Sequence, residues 1–96
     1  MSEIELQKSD MADGWRFRVT IRDPDSSTSE HEVELTQADY RRLSGGKATP
    51  ERLVEESFRF LLEREPKESI LRRFALPVIG RYFPEYEQEI KRRLGG

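Results

Sequence analysis

The chain has 96 residues, of which 38% are charged and 34% are apolar, and its formal net charge is −2. This length suits one domain with a single core, and the near balance of charge excludes a global attraction to nucleic acid or to an anionic membrane. Because the sequence contains no cysteine, disulfides, thiolate metal sites and cysteine nucleophiles are excluded.

The N-terminal sequence MSEIELQKSD lacks the basic and then apolar pattern of a signal peptide. No apolar run approaches the roughly 20 residues that a membrane-spanning helix requires. We therefore expect one cytoplasmic domain over residues 1–96, with no membrane contact.

Three N-terminal segments alternate apolar and polar residues, which is typical of strands. They are residues 3–8, 14–22 and 30–36. The last two carry a row of arginines and a row of glutamates on the side away from their apolar residues. One antiparallel register would oppose Arg22 to Glu30 and Arg18 to Glu34. The sequence thus predicts a three-stranded antiparallel sheet in which the two charged rows neutralise each other within one molecule.

Helix signals follow the sheet along the chain. Thr49 and Pro50 suit the start of a helix, Pro66 bars its continuation, and an apolar stripe lies between them. A shorter helix begins after Thr36 and ends at a Gly-Gly pair. Further short helices are predicted near residues 67–74, 77–83 and 84–94. The predicted fold is therefore α+β: an N-terminal three-stranded antiparallel sheet followed by four or five helices packed on one face.

Residues that carry chemistry are sparse. His31 is the only histidine, and no cysteine or second histidine exists to share a metal ion with it. Carboxylates are plentiful, but no pattern places two of them in the apolar setting that general acid–base catalysis requires. We therefore expect no enzymatic activity, no cofactor and no metal site.

Residues 31–65 resemble a ribbon-helix-helix unit, because a strand, a threonine cap, a helix, a glycine turn and a longer amphipathic helix follow in that order. In that family, strands from two chains enter the major groove, so the resemblance implies nucleic-acid binding. The strand's outward residues are glutamates here, which DNA would repel, so arginines would have to supply the basic surface. The candidates are Arg16, Arg18, Arg22, Arg72, Arg73 and Arg81.

The C-terminal half is rich in large aromatic residues. The stretches FLLEREP and YFPEY, residues 60–66 and 82–86, also resemble segments of small uncharacterised bacterial proteins, which implies no activity. The rings either close the core or form an exposed patch that binds a protein partner or a second copy of the chain. We therefore predict a non-enzymatic protein–protein interaction module, with nucleic-acid binding as the alternative. Its predicted anchors are Phe60, Tyr82, Phe83 and Tyr86.

Overall fold

A computed structural model of the protein describes residues 2–95 and has an α+β fold. Its strands are β1 (Glu3–Met11), β2 (Gly14–Arg22), β3 (Thr28–Thr36) and β4 (Arg73–Ala75). They lie side by side in chain order, with β1, β2 and β3 antiparallel and β4 parallel to β3. The predicted sheet of three strands therefore lacked one, which comes from the C-terminal half of the chain.

Four α-helices complete the fold of the described residues, 2–95. They are α1 (Gln37–Ser44), α2 (Pro50–Leu62), α3 (Ile79–Tyr82) and α4 (Tyr86–Arg93). The predicted threonine caps are confirmed: the Thr36 hydroxyl accepts from the Asp39 N–H and the Thr49 hydroxyl from the Arg52 N–H, each at 3.1 Å. Within residues 2–95, none of these helices is both long enough and apolar enough to cross a membrane.

The prediction of a helix over residues 67–74 is wrong. That stretch contains one 3₁₀ turn, Lys67–Ser69, and then extends into β4. The extended conformation arises from a distant partner, because the Glu32 N–H of β3 donates to the Arg72 carbonyl at 2.7 Å. Local spacing of apolar residues could not reveal that pairing.

One face of the sheet carries the core and the other carries charge. Side chains from the inward face of β2 and β3 pack with α2 and α4, and each large apolar side chain buried in this way contributes roughly 1.5–3 kcal/mol. The central members of this core are Phe17, Val19, Ile21, Val33, Leu35, Leu53, Val54, Phe58 and Ile90.

The arginine and glutamate rows share the open face, as predicted, but the register differs by two residues. Arg16 lies opposite Glu34 and forms an ion pair with it at 3.2 Å. Arg22, which was expected opposite Glu30, instead contacts Glu5 on β1 at 3.0 Å. The alternation fixed which residues share a face, but two registers of the same parity satisfy it equally well.

Candidate protein-interaction cleft

The four predicted aromatic anchors occupy different environments. Phe60 and Tyr86 are fully buried in the core, which removes them from the set of surface anchors. Phe83 is half-buried, and Tyr82 is 66% exposed. Only Tyr82 and Phe83 therefore remain available to a partner.

Phe60 lies off the main apolar stripe of α2 because it has its own set of partners. Its ring packs edge-on against Phe83 and Tyr86, with centroid separations of 5.8 and 5.3 Å. The Arg64 guanidinium covers the ring at 3.6 Å from its centroid. This cation–π contact closes the side that would otherwise face water.

Beside this aromatic group lies an apolar cleft of about 130 Å³, between the end of α2, the segment before β4, and α3. We call it the Leu71–Tyr82 cleft. Leu71 is 46% exposed, and Leu71 and Tyr82 are the large apolar side chains most exposed in residues 2–95. Both line this one cleft. The other apolar lining residues are Leu61, Ile70, Phe74, Val78, Ile79 and Phe83.

Within the part of the chain that the structure describes, one charged side chain, that of Glu65, lines the cleft. It is partly buried, and that burial raises the pKa of its carboxyl above the ordinary value. Within residues 2–95, no lysine or arginine lies within ion-pair distance of it, since neighbouring Arg64 instead contacts Glu63 and Glu85. The cleft thus combines an apolar lining with one carboxylate that lacks a counterion in the described chain.

The lone histidine holds the wall of the cleft in place. His31 Nδ1 lies 2.8 Å from the Leu71 carbonyl oxygen, and its Nε2 lies 2.9 Å from Ser29 Oγ. Because a carbonyl only accepts, Nδ1 carries the proton, and Nε2 accepts from the serine hydroxyl in the neutral ring. Burial against Phe58 lowers the pKa of His31, which favours this neutral form.

The arginines proposed for nucleic-acid binding are interleaved with acidic residues. Arg73 pairs with Glu32 at 3.2 Å, in addition to the ion pairs of Arg16 and Arg22 on the same face. Arg18 and Arg72 line a polar cleft that also contains Glu30, His31, Glu32 and Arg73. Arg81 lies apart from them, on α3.

Sequence reasoning missed Leu71 and Glu65 as site residues. Leu71 belongs to the segment that was predicted as a helix, where it would be one more apolar residue in a stripe. Glu65 is one of 19 acidic residues in the chain, and nothing in its neighbours' spacing distinguishes it. Only the fold brings the two together.

The chain offers little to hold a metal ion: among residues 2–95, no group of three histidine, aspartate or glutamate side chains is placed to do so. In comparisons with protein-family models, curated proteins and solved structures, nothing matches the chain.

Proposed function

We propose that the protein is a non-enzymatic protein-interaction module that binds an apolar side chain of a partner in the Leu71–Tyr82 cleft. The observation that carries this proposal is the convergence of the two most exposed large apolar side chains on one concave, apolar site. Scattered single apolar residues are normal on a surface, whereas a lined concavity is typical of a binding site.

The size of the cleft suits a single side chain of a partner as the anchor. Its volume of about 130 Å³ is close to that of apolar protein cavities that accept a benzene-sized molecule, about 150 Å³. A phenylalanine or leucine side chain from a partner fits this description. Such an anchor, in a pocket that excludes water, is the usual source of affinity in a small interface.

The carboxylate of Glu65 favours a partner that carries a basic residue beside that apolar anchor. Its carboxylate is partly desolvated and has no cation within the described residues, so a lysine or arginine of the partner would supply the missing charge. The gain would be larger than for an exposed pair because fewer water molecules compete. The partner is therefore a segment that carries a large apolar residue next to a basic one.

Selection of displayed random peptides against the folded protein tests this proposal. Peptides are selected on the wild-type chain and counter-selected on a Leu71→Asp, Tyr82→Asp variant, whose exposed substitutions spare the core. We expect the enriched peptides to share a leucine or phenylalanine next to lysine or arginine. The affinity of these peptides for the protein should fall with Glu65→Gln. It should be unchanged with Arg18→Gln, because Arg18 lies on the open face of the sheet, away from the cleft.

Two results would contradict the proposal. Enriched peptides that bind the wild type and the double variant equally would place the site elsewhere on the molecule. Failure to enrich any peptide that distinguishes the two would leave the cleft without a binding role.

Nucleic-acid binding stays the alternative proposal, and one observation favours it. Arg18 and Arg72 line one cleft, and neither has an ion-pair partner in the described chain. Against it, Glu30 and Glu32 lie in the same cleft, and β3 pairs with β2 and β4 of its own molecule. Anisotropy titration of labelled duplex DNA and single-stranded RNA at low salt decides between the two: tight binding that is lost with Arg18→Glu would promote the alternative.

A further inference from the structure

The outer edge of β1 has no strand paired with it among residues 2–95. Among residues 2–95, β1 forms backbone pairs with β2 alone and lies at the end of the sheet. A long unpaired edge presents a row of N–H and C=O groups to which another strand can add.

The register identifies which groups point outward. Met11 and Gly14 close a two-residue turn, so that pair exchanges both backbone bonds, and every second residue of β1 before Met11 also faces β2. The N–H and C=O groups of Ile4, Leu6 and Lys8 consequently face away from β2. They form a regular set of donors and acceptors that no backbone group of residues 2–95 uses.

A groove lies beside the start of this edge, at Ile4, on the helical side of the sheet. Ile4 and Leu62 give it an apolar part, and both are half-buried. Glu56 and Arg59 of α2 lie along its other wall. A strand added to β1 would cover the remaining apolar surface of Ile4 and Leu62.

We propose that this edge pairs with β1 of a second copy of the chain. The two strands run antiparallel about a two-fold axis at Leu6, and the two sheets join into one. In this register Leu6 meets Leu6 of the second copy, and Ile4 meets its Lys8. All three residues direct their backbone groups outward, so each opposed pair can exchange both hydrogen bonds.

The side chains of β1 favour this register over its neighbours. On the open face it opposes Glu5 to Gln7 and Glu3 to Ser9, so no like charges meet. An axis at Glu5 would oppose two glutamates, which is destabilising, and an axis at Gln7 would oppose Ile4 to the carboxylate of Asp10. Self-complementarity about Leu6 is therefore what identifies a second copy as the occupant.

The charge of Lys8 is compatible with this pairing. Its ammonium group already contacts Glu51 of α2 at 3.1 Å, so it is neutralised within its own molecule. In the pair its aliphatic stem lies against Ile4 of the other copy, on the side of the sheet where Glu56 lines the groove. The lysine stem thus covers apolar surface of the second copy.

Light scattering and sedimentation equilibrium over a concentration series test the proposal. We expect the wild type to dimerise and Leu6→Lys to raise the dimer dissociation constant by roughly tenfold or more, because two ammonium groups would meet at the axis. Ser9→Lys is the matched control on the same strand, since it places an ammonium opposite Glu3 of the second copy and leaves or strengthens the dimer. Circular dichroism checks that both variants stay folded.

Cysteine cross-linking tests the register in this cysteine-free chain. Opposed residues in a hydrogen-bonded pair have Cα atoms about 5.5 Å apart, which is within disulfide range. Leu6→Cys should therefore form a covalent dimer readily on mild oxidation. Gln7→Cys should do so slowly, because residue 7 of one copy lies opposite Glu5 of the other copy, two residues away from residue 7 of that copy.

Three outcomes would overturn the proposal. The first is a wild-type chain that stays monomeric at all concentrations. The second is a dimer that survives Leu6→Lys but is lost with Tyr82→Ser, which would place the contact at the Leu71–Tyr82 cleft. The third is faster cross-linking of the Gln7→Cys variant than of the Leu6→Cys variant.

Discussion

The phenol of Tyr86 lies 2.7 Å from Ser57 Oγ, and Ser57 Oγ lies 2.7 Å from the Leu53 carbonyl oxygen. Since the serine hydroxyl donates to that carbonyl, the tyrosine hydroxyl must donate to the serine. Burial raises the pKa of Tyr86, so the phenol keeps the proton that it donates. This chain of two bonds fastens α4 to α2 inside the core, beneath the aromatic group that borders the cleft.

Removing the donor and removing the acceptor of the Tyr86–Ser57 hydrogen bond should lower the stability of the fold by unequal amounts. Ser57→Ala leaves a buried hydroxyl without an acceptor and should lower the free energy of unfolding by about 1–3 kcal/mol. Tyr86→Phe removes the donor and leaves Ser57 bonded to Leu53, so it should cost about 0.5–1.5 kcal/mol. Urea denaturation of both variants measures the difference. Equal losses, or a larger loss for Tyr86→Phe, would contradict the assigned direction of the bond.

The buried histidine predicts a loss of stability on mild acidification. The folded-state pKa of His31 lies below its ordinary value of 6.5, so the unfolded chain binds a proton more readily. This stability is fully present above the ordinary pKa and is lost as pH falls from that value through the lower folded-state pKa, at no more than about 1.4 kcal/mol per pH unit. The charged residues that line a cleft together with His31 are Arg18, Glu30, Glu32, Arg72 and Arg73.

Urea midpoints between about pH 7.5 and pH 5 measure this dependence, which spans the titration of an ordinary histidine. His31→Gln keeps a hydrogen-bonding side chain without a titrating group and should flatten the profile. Because the chain contains one histidine, no other imidazole contributes to the slope. An unchanged slope in His31→Gln would show that other groups control it.

A buried lysine links the loop between β2 and β3 to the turn after α2. The Lys67 side chain is only 3% exposed, and its ammonium group contacts Asp23 at 2.5 Å, Ser27 Oγ at 2.7 Å and Glu68 at 2.8 Å. Lys67→Met should lower the melting temperature clearly more than Lys47→Met, since Lys47 is exposed, because it leaves two carboxylates without their shared cation. Thermal unfolding at low and high salt measures both. Equal shifts for the two variants would contradict a stabilising role.

Two glycines predict opposite responses to alanine. A Cβ at Gly14 would lie 2.1 Å from the Leu35 carbonyl oxygen, which belongs to the backbone of β3 and cannot move aside without cost. Gly14→Ala should destabilise the fold by about 1–3 kcal/mol. At Gly80, within α3, a Cβ would meet nothing closer than 3.8 Å, so Gly80→Ala should be neutral or stabilise by up to about 1 kcal/mol. Chemical denaturation compares them, and a tolerated Gly14→Ala would contradict the close approach of β2 and β3.

Sequence periodicity predicted the local elements well where a segment decides its own conformation. The capped helices after Thr36 and Thr49, and the parity of β2 and β3, follow from side chains close together in the chain. β4 did not follow, because its three residues become a strand only by pairing with β3. The wall of the cleft depends on that pairing, so Leu71 could not be identified as a site residue from the sequence.

The aromatic anchors illustrate the same limit. All four rings had suitable chemistry for a surface patch, but they differ in how far the structure buries them. Arg64 covers the Phe60 ring from one turn further along the chain, whereas Phe83 and Tyr86, which also pack against that ring, lie more than 20 residues away in the sequence. Tyr82 is the predicted anchor that stays exposed.

Isothermal titration with a peptide selected on the wild-type chain tests the binding role of the cleft most directly. Tyr82→Ser should lower the affinity for that peptide by about tenfold or more, as expected for the loss of an aromatic contact in an anchor site. Arg81→Ser, the adjacent exposed change on α3, should leave the affinity within about twofold, a difference below about 0.5 kcal/mol. Equal affinities of the wild type and Tyr82→Ser would contradict the account, because the cleft would then have no part in recognition.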